Sequence, residues 1–137
     1  MAIEDSTVLI TSPQSTNRAF GTGFVIHSDA EADYVMTCRH VALDIEIQAN
    51  QPVCINYHEY PVLDVFMNPA DDPDDMAVVK VRGPLNMPPL PLGLADTPGV
   101  DIRIYGYYRF SNNPDNHRQV PVEGKLGERG ILNFRSC

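Results

Sequence analysis

A chain of 137 residues has the length of one ordinary domain and can bury about two-thirds of its unfolded surface, so a real core is available. Ten Lys and Arg against 18 Asp and Glu leave a formal net charge of −8, and no basic stretch with interleaved aromatics offers a phosphate-binding stripe, so no nucleic-acid partner is expected. The acidic opening Met1-Ala2-Ile3-Glu4-Asp5-Ser6 is unlike a secretory signal, no apolar run approaches membrane-spanning length, and three cysteines make an odd number; together these point to a cytoplasmic protein with no membrane partner.

Gly and Pro punctuate many short β-rich runs, and no window of helical length keeps a 3.6-residue apolar period, so the chain reads as all-β. In chain order the first strand candidates are 7–10, 19–26, 34–37, 52–57, 62–68 and 76–81. Six strands can close a barrel, which leaves no unpaired edge. Gly21 and Gly23 flank Thr22 inside the second run, where Gly weakens pairing unless a bulge or a close backbone approach requires it. The acidic stretches 29–33 and 71–75 read as solvated loop charge. Asp71-Asp72-Pro73-Asp74-Asp75 lacks the Gly turn and distal Glu of a calcium loop.

Prolines at 84, 88, 89, 91 and 98 deny residues 82–99 the donors of a central strand, which makes this segment a linker. Three further strand candidates follow, 101–107, 119–126 and 131–134, with a polar loop over 111–116. The expected organisation is a first barrel over 1–83, a Pro-rich linker over 84–99 and an incomplete second unit over 100–137. Three strands cannot close, so a second polypeptide, a second copy or a continuation of the chain is expected to cover them.

The cassette Thr37-Cys38-Arg39-His40-Val41 carries the chemistry. Imidazole can take and return a proton near neutral pH, although a lone His after a strand is ordinarily a satisfied structural group. Cys38 and Cys54 could be paired with His40 and His58 as a metal site, but the close spacing of a zinc motif is missing. Buried thiols on strands, with no metal and no cofactor, are the expectation.

The order Gly21-Thr22-Gly23-Phe24, then Thr37-Cys38-Arg39-His40-Val41, then Asp75-Met76-Ala77-Val78-Val79-Lys80 resembles the first half of a trypsin-like, chymotrypsin-fold serine protease of bacterial type. Val41 stands where secreted animal members place a bridging Cys. The resemblance implies a chymotrypsin-like six-stranded antiparallel barrel followed by an incomplete second barrel, because the family's two barrels need a longer chain. It implies His40 as general base and Asp75 as its orienter. Strand alternation alone leaves Asp74 as a competitor, and the motif selects Asp75.

None of the serines at 6, 12, 15, 28, 111 and 136 sits in the family's Gly-x-Ser-Gly setting, and Cys137 has no following residues to build such a turn. The expected function is therefore the N-terminal part of a trypsin-like serine endopeptidase, inactive alone. A second segment or chain would supply the serine, or the chain would self-associate, and the substrate would be a polypeptide. A catalytically inactive binding or sensor module is the alternative.

Overall fold

The computed structural model describes residues 3–90, 101–109, 117–126 and 132–134. The chain divides into two compact units, Met1–Leu90 and Pro91–Cys137. In the first, a 3₁₀ turn over Ile3–Ser6 leads into β1 (Thr7–Thr11), β2 (Phe20–Ser28) and β3 (Asp33–Thr37). A short helix α1 (Arg39–Ile45) precedes β4 (Pro52–Ile55), β5 (His58–Met67) and β6 (Ala77–Val81). These six strands form a closed barrel in the order β1-β2-β3-β6-β5-β4, every pair antiparallel. The all-β reading and the six-stranded antiparallel barrel agree with the sequence.

Closure follows from side-chain alternation. In β3 the buried positions are Asp33, Val35 and Thr37, and in β6 they are Ala77, Val79 and Val81, so one face of each strand points into the barrel. Val8, Ile10, Val25, Val53, Ile55 and Val62 complete an interior of small branched side chains. Each of these contributes about 1.5–3 kcal/mol on burial. Register shifts at Val25/His27 in β2 and Val62/Asp64 in β5 supply bulges that bend the strands round the barrel.

The helix was not legible in the apolar pattern, because seven residues are too few for a 3.6 period to register. Val41, Ala42 and Ile45 nonetheless turn one face onto the core. Glu46 ends the helix in the left-handed conformation (φ 61°), and the Ile47 N–H returns to the Ala42 carbonyl at 2.9 Å.

The strand expected over 52–57 stops at Ile55. Asn56 and Tyr57, with φ of 51° and 69°, form the two-residue loop of the β4–β5 hairpin, and Ile55 pairs with His58. Positive φ at both loop residues is the type I′ geometry that matches strand twist. Asn56 is also tied to β1. Its N–H donates to the Leu9 carbonyl and its Oδ1 accepts from the Leu9 N–H, both at 2.9 Å.

Two further expectations are corrected. Asp33 is not solvated loop charge: it is buried, and its carboxylate accepts from Ser28 Oγ and from the Leu85 N–H. Cys38 is not on a strand but between β3 and α1, and both Cys38 and Cys54 are half-buried rather than buried.

Residues 82–90 run back along the barrel as irregular chain, with Leu85 and Met87 packed against the core and the Leu90 N–H bonded to the Val25 carbonyl at 2.8 Å. The rest of the proline-rich linker and the polar loop over 111–116 lie outside the described residues. The second unit contains an antiparallel sheet β7-β8-β9, formed by Asp101–Arg109, His117–Leu126 and Leu132–Phe134. Among the described residues it is three strands with β8 central.

Replacing Asn56 with Ala leaves the buried Leu9 amide without its acceptor and puts a β-carbon residue in a left-handed position. A loss of about 1–3 kcal/mol is expected in urea unfolding, and an unchanged midpoint would contradict this account of the hairpin.

Candidate active site

The β3–β6 ladder ends at Thr37 opposite Ala77. Because the strands are antiparallel, the residues just after Thr37 lie level with those just before Ala77. This register brings Cys38, Arg39 and His40 beside Asp75. Thr37 is fixed by its Oγ1, which donates to the Thr22 carbonyl at 2.8 Å. Thr22 lies between the two glycines of β2. A β-carbon on Gly21 would fall 2.3 Å from Val41 Cγ1, so only Gly lets β2 approach the residue that follows His40. The close approach expected from the Gly-Thr-Gly run therefore bears directly on the placement of the helix start.

Cys38 is extended (φ −85°, ψ 149°) and α1 begins at Arg39, so His40 is the helix's second residue. Its side chain is 64% exposed and that of Asp75 46%. Asp75 Oδ1 accepts the His40 backbone N–H at 2.9 Å, while Oδ2 is bonded to His40 Nδ1. The Arg39 backbone also bonds to this carboxylate. These contacts hold the Asp75 carboxyl below its ordinary pKa, the imidazole hydrogen bond being the largest cause and the His40 backbone bond the next.

An ionised carboxylate can only accept, so Nδ1 is the protonated nitrogen in neutral His40. Nε2 is then left with its lone pair. The arrangement can orient an imidazole and present Nε2 as a base.

Asp74, the competing acid, builds the turn instead. Its N–H donates to Asp72 Oδ1 at 2.8 Å, and its carbonyl accepts from Asn68 Nδ2 at 3.1 Å. Among the serines, Ser6 Oγ donates to the Pro88 carbonyl, Ser28 Oγ to Asp33, and Ser12 Oγ accepts from the Gln14 N–H. Ser111 and Ser136 lie outside the described residues.

One neighbour was missed by sequence reasoning. Cys38 Sγ, a His40 ring nitrogen and an Asp75 oxygen all lie within 4.8 Å of one another. Spacing showed Cys38 near His40, but only the long-range Thr37–Ala77 register shows it near Asp75. Burial, and secondarily the Asp75 charge, push the Cys38 thiol pKa up, which keeps it protonated and a poor nucleophile at neutral pH. A concavity of about 520 Å³, lined among others by Ser28, Asp33, Gly83 and Pro88, contains none of these three residues.

A family model described as a trypsin-like peptidase domain matches residues 21–127, a span that begins at Gly21 and includes His40 and Asp75. No curated protein matches the chain.

Two outcomes follow from the geometry. Gly21→Ala should drive Val41 aside and destabilise the barrel by about 1–3 kcal/mol in urea unfolding; full stability would mean that Val41 yields freely. Because the Asp75 pKa is lowered by folding, its ionised form favours the fold above the unfolded carboxylate range, and that contribution is lost as pH falls through the lowered value. An NMR titration of the Asp75 carboxyl should give a midpoint below 3.8. His40→Ala should raise it part of the way, since the backbone donors remain.

Proposed function

The chain belongs to the trypsin-like peptidase family, and on that premise we propose that His40 and Asp75 are the base and orienter of a serine endopeptidase. Its nucleophilic serine, oxyanion donors and specificity pocket come from polypeptide beyond residues 1–137. The observation that carries this reading is the Asp75 carboxylate, held by backbone donors at the start of α1 and bonded to His40 Nδ1. That contact leaves Nε2 as the basic nitrogen.

In the assembled enzyme His40 Nε2 takes the serine hydroxyl proton as the oxygen attacks the peptide carbonyl. Asp75 stabilises the imidazolium without taking a proton. The proton then passes to the leaving amine, and the same base activates water to release the acyl group. The substrate is a polypeptide. Free thiols at Cys38 and Cys54 are consistent with a reducing, cytoplasmic setting.

A second reading, an inactive binding or sensor module, is favoured by the lack of a Gly-x-Ser-Gly setting among the six serines of the 137 residues. The two are separated by treating the protein, isolated with every polypeptide that copurifies from its own source, with a fluorophosphonate. The peptidase reading expects one labelled serine, loss of labelling in His40→Ala, and about a 10⁴-fold fall in kcat for Asp75→Asn. No labelling and no peptide hydrolysis in that preparation would leave the module reading.

A further inference from the structure

We propose that Cys38, His40 and Asp75 form a binding site for a thiophilic divalent transition metal, with zinc the best match. The carrying observation is the mutual approach of Sγ, a ring nitrogen and a carboxylate oxygen to within 4.8 Å. Donors of a tetrahedral zinc lie roughly 3.3–3.8 Å apart, given metal–ligand distances of about 2.0–2.3 Å. The widest separation thus exceeds a coordinating arrangement by about 1 Å, while His40 Nδ1 and Asp75 Oδ2, now in hydrogen-bond contact, must part to admit the ion. Two of the three side chains can supply that movement, since His40 and Asp75 are substantially exposed. Solvent also reaches them, giving a path for the ion and a water for the fourth position.

The donor set selects the metal. A thiolate, an imidazole and one carboxylate suit zinc or cobalt, whereas calcium and magnesium require oxygen ligands. The cysteine sits two residues before the histidine, and the acid arrives from the β5–β6 connection through the barrel register. Arg39 and Val41, on either side of His40, offer no donor of the required kind.

Coordination has a defined proton balance. The thiol gives up its proton to solvent and binds as thiolate. Neutral His40 moves its proton from Nδ1 to Nε2 and coordinates through Nδ1, the nitrogen that already faces Asp75. The ion thus replaces the His40–Asp75 hydrogen bond with two coordinate bonds. Nε2 then carries a hydrogen and has no lone pair to accept a serine proton. Metal binding consequently switches the base off, and this consequence, unlike the binding itself, rests on the function proposed above.

The test is titration of the full chain with Co²⁺, followed spectroscopically, and competition with Zn²⁺. One equivalent of Co²⁺ should produce a thiolate-to-cobalt charge-transfer band that Zn²⁺ abolishes. Cys38→Ser should remove the band, His40→Ala should weaken metal affinity about tenfold or more, and Cys54→Ser should leave both unchanged, with circular dichroism confirming the fold of each variant. Absence of a band in the wild-type chain, or its persistence in Cys38→Ser, overturns the site. If the metal binds as described but peptide hydrolysis by the assembled enzyme is unaffected at saturating Zn²⁺, the assignment of His40 as base fails while the metal site stands.

Discussion

The pairing of Thr37 with Ala77 at the end of the β3–β6 ladder is the constraint on which the rest of the site depends. β3 and β6 are distant in sequence and become neighbours only when the barrel closes. Closing it sets the chain after β3 beside the chain before β6, and both then turn outward with their polar groups level. The Asp75 carboxylate needs donors there, and the first turn of α1 has unpaired backbone N–H groups to give. The helix start and the acid therefore satisfy each other, and the imidazole of His40 is caught in the same contact. Gly21 and Thr37 serve this register from beneath, one by keeping space for Val41 and the other by fixing the strand end to Thr22.

Electrostatics divide the labour among three groups within a few ångströms. Asp75 is stabilised as an anion by hydrogen bonds rather than by burial, so it remains charged while largely exposed. Cys38 meets the opposite conditions. It is partly desolvated and next to that anion, so its thiol stays neutral. The same carboxylate thus accepts from the imidazole and disfavours a thiolate at Cys38. A divalent cation reverses the second preference, because its charge stabilises thiolate and carboxylate together.

Much of the barrel was legible because its strands alternate with period two and are separated by Gly, Pro and acidic turns. Val35, Val79 and Val81 announce their inward face without reference to any other strand. Elements governed by non-local partners were not legible. Tyr57 reads as a strand residue, yet the β4–β5 register places it in a left-handed loop position. Asp33 reads as loop charge, yet chain returning at Leu85 buries it and supplies its donor. Of the candidate site, His40 and Asp75 were singled out by ordered motifs along the sequence, and the fold brings the two side chains into contact. The proximity of Cys38 to Asp75 needed the barrel register, which no local spacing encodes.

The candidate site depends on Asp75 fixing the His40 tautomer. Nitrogen-15 NMR of the imidazole in its neutral form measures this directly, by assigning the ring proton to Nδ1 or Nε2. The expected result is a protonated Nδ1 coupled through its hydrogen bond to Asp75 and an unprotonated Nε2, with the preference lost in Asp75→Ala. A proton on Nε2, or a tautomer indifferent to removal of Asp75, would contradict it.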